Sequence, residues 1–138
     1  MIKGRVLVVD DETEVRKSVR LILSKAGYDV IEAEDGEAGV RLLAGGIAAD
    51  AIICDLDMPK IHGIEAIPNF LYLYPSCPII ILSGSVTLES ATRRFQPGVL
   101  SNKPGVVEFL SKPIDQERLL GAVKKAVNKG GSRDEAPA

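Results

Sequence analysis

Apolar residues follow two alternating patterns along this chain. Arg5-Val6-Leu7-Val8-Val9-Asp10 is a short, continuous β-branched run ending in acid, as expected of a strand covered on both faces in a parallel sheet. The period then changes: Val15, Val19, Ile22, Leu23 and Ala26 form one stripe of an amphipathic helix, with Gly27 placed to end it. The alternation repeats. Tyr28 to Ala33 reads as a strand, Gly36 to Ala44 as a helix closed by Gly45-Gly46, and Ala51 to Asp55 as another buried strand. A helical segment from Ile61 to Tyr74 follows, interrupted by Pro68, which lacks a backbone donor and is expected to kink the helix or shift its start. Pro78 to Ser83 is the fourth strand, Thr87 to Gln96 a short helix, Val106 to Leu110 the fifth strand, and Asp115 to Asn128 the last helix. That helix aligns Leu119, Leu120, Val123 and Val127 on one face. Five strands alternating with helices predict an α/β fold with a parallel, doubly wound sheet and right-handed crossovers.

Two stretches break the alternation. Pro97-Gly98 and Pro104-Gly105 predict turns in the segment 97–105 rather than one continuous helix. Residues 130–138 have no periodicity and a linker's composition, so they are expected to form a disordered tail or the start of a linker after a domain spanning 1–129.

Composition narrows the class. A chain of 138 residues, 46% hydrophobic, can bury about 68% of its extended surface, enough for one core without a disulfide or a structural metal. Seventeen basic against 19 acidic side chains leave no basic footprint, so direct nucleic-acid binding is not expected. Cys54 and Cys77 stand without any CxxC or Cys/His spacing, which excludes a disulfide scaffold and a zinc site as organising principles. Apolar runs such as Ile79 to Leu82 are far shorter than the roughly 20 residues of a membrane span, and no signal-peptide core begins the chain. The expectation is a cytoplasmic protein with no membrane partner.

In open parallel sheets, ligands sit beyond the carboxyl ends of the strands, where the strand order reverses. The first strand ends in Asp10-Asp11, the third in Asp55 and the fourth in Ser83, and the fifth leads into Lys112. Carboxylates gathered at one rim repel by about 4 kcal/mol for a pair 4 Å apart at an effective dielectric near 20, so they call for a cation. An all-oxygen set suits Mg²⁺, whose coordination is usually completed by phosphate oxygens. A phosphoryl group is then the natural substrate, with Lys112 and Ser83 holding its oxygens.

Asp10-Asp11 after the first strand, Asp55-Leu56-Asp57-Met58-Pro59 with Gly63 further on, Ser83-Gly84 after the fourth strand and Lys112-Pro113 after the fifth occur in order over residues 4 to about 128. Together they resemble the receiver domain of two-component response regulators, the CheY-like superfamily. The resemblance implies a flavodoxin-like strand order of 2-1-3-4-5. It implies that Asp55 accepts a phosphoryl group from a histidine kinase or a histidine phosphotransfer protein. It also implies Mg²⁺ bound directly by Asp11 and Asp55, through water by Asp10, and by the backbone carbonyl of Asp57. Lys112 and Ser83 would contact the phosphoryl group. Phe109 stands where the family has an aromatic that turns inward on activation, so Ser83 and Phe109 form the expected switch. The output face would be the one built by the fourth helix, fifth strand and last helix, docking a downstream protein target or supporting a phosphorylation-dependent dimer. The protein would catalyse only its own phosphorylation and dephosphorylation.

Blander readings exist for each residue alone. Asp10-Asp11 with Glu14 also resembles a capping box, Asp57 a turn former, Lys112 a solvated lysine, His62 and Arg93-Arg94 surface residues, and Cys54 a small core hydrophobe. Asp55-Leu56-Asp57 also resembles the Asp-x-Asp motif of magnesium-dependent phosphatases of the haloacid dehalogenase type. That family wants Thr or Val where Pro59 stands, and its motif usually ends the first strand. A non-phosphorylated docking module is the other alternative. Relative to the receiver pattern, the interval from Ser83 to Lys112 is 29 residues, several more than usual, and Ser83 replaces the commoner Thr.

Overall fold

A computed structural model of the chain describes residues 2–55, 77–83 and 106–135. The element order is β1 (Arg5–Val9), α1 (Thr13–Lys25), β2 (Asp29–Ala33), α2 (Gly36–Ala44), β3 (Ala51–Asp55), β4 (Ile79–Ser83), β5 (Val106–Ser111) and the C-terminal helix, here α3 (Gln116–Glu135). The expected helices over Ile61 to Tyr74 and Thr87 to Gln96, the segment 97–105, and Asp57, His62, Pro68 and Arg93-Arg94 lie outside the described residues.

The five strands form one sheet in the order β2-β1-β3-β4-β5, and every neighbouring pair is parallel. The β-branched runs explain this. Val6 to Val9, Ile52 to Cys54 and Ile79 to Leu82 are fully buried, which only a sheet covered on both faces provides. Val6, Val8, Ile53, Ile80 and Leu82 pack with Val19 and Leu23 of α1 and Leu119, Val123 and Ala126 of α3. Strand residues of the other parity, such as Leu7 and Ile52, point to the opposite face, where α2 contacts β1 and β2. Each fully buried Leu or Ile contributes roughly 1.5–3 kcal/mol relative to exposure. This core holds the strand ends in place.

Local signals set the helix boundaries. After α1, Gly27 takes φ +100°, Tyr28 N–H donates to the Leu23 carbonyl at 3.0 Å and Gly27 N–H to that of Ser24 at 3.1 Å, a Schellman closure. Gly46, at φ +96°, repeats the arrangement after α2, with Ile47 N–H on the Leu42 carbonyl at 3.1 Å. Asp35 caps α2 by accepting from Ala38 N–H at 2.8 Å.

Two expectations change. The N-cap of α1 is Glu12, which makes no side-chain cap bond; the capping-box alternative for Asp10-Asp11 therefore does not describe this turn. The last helix also continues beyond Asn128 to Glu135, through the Gly130-Gly131 pair assigned to a disordered tail. Glycine disfavours helix by about 1 kcal/mol relative to Ala, but adding a residue to an existing helix avoids the cost of nucleation.

Candidate functional site

The strand order reverses between β1 and β3, so a crevice opens at their carboxyl ends. Val9 pairs with Cys54 in register, which brings the next residues, Asp10 and Asp55, side by side. Both are buried, at 0% and 1% exposure. β5 delivers Lys112 to the same place, its side chain only 14% exposed. The Lys112–Pro113 peptide is cis.

Lys112 Nζ donates to Asp55 Oδ2 at 3.2 Å and to Glu12 Oε1 at 3.0 Å. It also lies 3.0 Å from Asp10 Oδ2, but no donor reaches that buried oxygen in hydrogen-bonding geometry. The other carboxylate oxygen of Asp10 accepts from Glu12 N–H at 2.9 Å. Asp10, Asp11, Glu12 and Asp55 can each offer one oxygen, all within 4.8 Å of one another. One ammonium among four carboxylates leaves net negative charge, and the donorless oxygen of Asp10 faces into the cluster. An all-oxygen set with an unsatisfied buried member fits a hard divalent cation such as Mg²⁺.

This arrangement matches the comparisons with known proteins. Residues 6–124 match the model of the response regulator receiver domain. The chain belongs to that family.

The receiver is 32% identical over 124 residues to the transcriptional regulatory protein GlrR of Escherichia coli, covering 90% of this chain and 26% of that protein. It is 30% identical over 125 residues to the transcriptional regulatory protein FixJ of Bradyrhizobium diazoefficiens, covering 91% of this chain and 57% of FixJ. A receiver domain structure from Clostridium thermocellum superposes with a TM-score of 0.78 at 28% identity, over 91% of this chain and 95% of that one. The chain thus spans about a quarter to just over half of these curated relatives. It is a signalling domain of two-component systems, with the flavodoxin-like order expected from the sequence.

Of the expected site residues, the receiver brings Asp10, Asp11, Asp55 and Lys112 together. Ser83 ends β4 opposite Ser111 of β5, next to Lys112 in the chain; its side chain is outside the described residues, as is Asp57. Phe109 pairs with Ile81 and is half-buried on β5.

Electrostatics follow from burial. Desolvation raises the pKa of Asp10 above the ordinary carboxylate value, against the opposing pull of Glu12 N–H and Lys112. For Lys112, burial works to lower the pKa, but contacts with Asp10 and Glu12 and the charge of Asp55 outweigh it and hold the ammonium protonated. Burial, then Asp55 and Asp10, push the Cys54 thiol up, so Cys54 packs as an inert core residue.

Two residues at this rim escaped the sequence reading. Glu12 is exposed and pairs with Lys112, yet in the sequence it reads only as the start of a helix. Arg16, on α1, donates from Nη1 to the Asp10 carbonyl at 2.6 Å and from Nε to Glu32 Oε1 at 3.2 Å. Its place four residues after Glu12 was visible, but its partner on β2 depends on the packing of α1 against the sheet. Among the described residues, no helix is long and apolar enough to cross a membrane.

Proposed function

We propose that Asp55 is the phosphoacceptor of a phosphorelay, phosphorylated by a histidine kinase or a histidine phosphotransfer protein in a Mg²⁺-dependent reaction. The observation that carries this reading is the contact of Asp55 Oδ2 with Lys112 Nζ at 3.2 Å, inside a cluster of carboxylates at the strand-order reversal. A carboxylate oxygen of Asp55 attacks the phosphorus of a phosphoimidazole. The P–O bond forms as the P–N bond breaks, and the leaving imidazole keeps the electron pair.

Lys112 pairs with the phosphoryl oxygens, and the Ser83 hydroxyl donates to one of them. Asp11, Asp55 and the backbone carbonyl of Asp57 would hold Mg²⁺ directly and Asp10 through water, and the ion would supply positive charge to offset that spread over the transferring group. Water later cleaves the acyl phosphate, releasing inorganic phosphate and restoring the Asp55 carboxylate. The chain catalyses only its own phosphorylation and dephosphorylation.

Ser83 drawn to the phosphoryl group leaves space that Phe109 fills, which biases the face around β5 and the last helix toward binding. The output is a protein contact, to a downstream target or a second copy, made in the cytoplasm. Relatives named as transcriptional regulators are longer than this chain, and any nucleic-acid step belongs in this reading to a partner or to further sequence. Residues 1–129 constitute the receiver, and the last helix runs on past them to Glu135.

Intact-mass spectrometry after incubation with acetyl phosphate and Mg²⁺ tests the proposal. One phosphoryl adduct, lost in Asp55→Asn, is expected. An adduct persisting in Asp55→Asn, or none on the native chain, overturns it. Multiple turnover on a generic phosphate ester would point to a phosphatase instead.

A further inference from the structure

Asp10 is held at three points by groups from three directions. Its N–H donates to the Ala33 carbonyl at the end of β2 at 3.1 Å. Its Oδ1 accepts from Glu12 N–H at 2.9 Å, and its carbonyl accepts from Arg16 Nη1 at 2.6 Å. The last contact is short and charge-assisted, the stronger kind of hydrogen bond. The guanidinium is itself fixed, since Nε donates to Glu32 Oε1 at 3.2 Å and the Arg16 side chain is only 14% exposed. Glu32 is held in turn by Arg20, whose Nη1 donates to its other oxygen at 2.6 Å.

The carbonyl that Arg16 grips belongs to the same planar peptide unit as the N–H of Asp11. Pinning it sets where the Asp11 backbone leaves the sheet. It also holds Asp10 so that Oδ1 meets Glu12 N–H and Oδ2 faces the cluster. Asp11 is exposed in the short turn between β1 and α1, so without such a brace its carboxylate would lose more freedom on binding a cation. A lysine could not do the same: one ammonium on a flexible stem lacks the rigid fork that reaches a carbonyl and a carboxylate on different elements at once.

We propose that Arg16 is a positioning residue for the cation site: it acts through the Asp10–Asp11 peptide, with Glu32 holding its guanidinium, and sets the affinity for Mg²⁺ without touching the reacting group. This rests on the phosphoacceptor reading given above. Groups that orient metal ligands from behind typically affect metal affinity by about 10- to 100-fold.

The test is titration of the isotope-labelled chain with Mg²⁺ alone, followed by amide chemical shifts that report both affinity and fold. Arg16→Ala is expected to weaken Mg²⁺ about tenfold, with amide shifts of β3 and β4 unchanged. Arg20→Ala removes a partner of the same Glu32 but leaves the Asp10 carbonyl contact, and should change affinity less than about twofold. Native affinity in Arg16→Ala, or an equal loss in Arg20→Ala, overturns the proposal. If Arg16→Ala does not fold, Arg16→Lys provides the same measurement: weakened Mg²⁺ binding supports the brace, and native binding overturns it.

Phosphorylation by acetyl phosphate supplies a second readout. In Arg16→Ala the Mg²⁺ concentration for half-maximal rate should rise while the rate at saturating Mg²⁺ stays near native. A loss of saturating rate with unchanged Mg²⁺ requirement overturns the proposal. No adduct on the native chain refutes the phosphoacceptor reading, whereas the Mg²⁺ titration still judges Arg16 by itself.

Discussion

Lys112 Nζ lies 3.2 Å from Asp55 Oδ2, so an ammonium delivered by β5 sits against a carboxylate at the end of β3. The same nitrogen is 3.0 Å from Asp10 Oδ2. One cation therefore counters two buried carboxylates on neighbouring strands, which explains why the fold tolerates them together.

Removing that cation leaves the carboxylates uncompensated. Lys112→Ala is expected to lose about 3 kcal/mol of stability at neutral pH without divalent metal, the usual penalty for stranding a buried charge. Glu12→Gln breaks an ion pair whose acid is 59% exposed and should lose less than about 1 kcal/mol. Urea unfolding of both variants beside the native chain checks the contrast; equal losses would contradict it.

The raised pKa of Asp10 has a definite sign in stability. A carboxyl with a folded value above its unfolded value contributes stability below the unfolded pKa, and loses it as pH rises through the folded pKa. Asp10→Asn removes the buried charge and should therefore melt higher than the native chain at neutral pH in chelator. Each 1 kcal/mol gained appears as roughly 4 °C in a domain of this size. The advantage should vanish as pH falls below the ordinary carboxylate range. Thermal scans against pH, with Asp10→Asn melting lower at neutral pH as the contrary result, settle the point.

Magnesium should reverse that order. Bound only by the folded chain, it would stabilise the native protein by about 2.7 kcal/mol at a hundredfold excess over its Kd. Asp10→Asn and Asp11→Asn, each missing one charge of the cluster, should gain much less. Melting temperatures with and without Mg²⁺ measure the difference, and equal gains in all three proteins would place the cation elsewhere.

Glu32 shifts the other way. The hydrogen bond from Arg20, aided by Arg16 and opposed by burial, holds its carboxyl below the usual carboxylate range. Its contribution is present above the unfolded pKa and lost as pH falls through the folded value. Because Glu32 is about one-quarter exposed and Arg20 more than half, Glu32→Gln should lose no more than about 1 kcal/mol at neutral pH. Denaturant unfolding should find the two proteins equally stable in acid; a gap that persists there would mean that packing, not charge, is responsible.

How much of this was legible beforehand differs by feature. The strand runs and glycine stops were local signals. Gly36–Ala44 came out with the predicted bounds, because Asp35 caps one end and Gly46 closes the other. The end of the last helix was misjudged, since glycine lowers helix propensity without forbidding continuation of a formed helix. Asp10, Asp11, Asp55 and Lys112 could be named because each ends or follows a strand, and in a parallel sheet all strand ends of that kind share one rim.

The sequence alone determined the alternation of strand and helix, the burial of the sheet on both faces and the residue types at its rim, all of which depend on near neighbours along the chain. Tertiary structure decided how the rim charges are shared. That Lys112 contacts Glu12 as well as Asp55, that one oxygen of Asp10 is left without a donor, and that Arg16 reaches the Asp10 carbonyl from a hold on Glu32 are properties of packed elements. Periodicity assigns a residue to an element and a face. The ångström-scale distances that govern charge and hydrogen bonding arise only once α1, β2 and β5 are seated on one sheet.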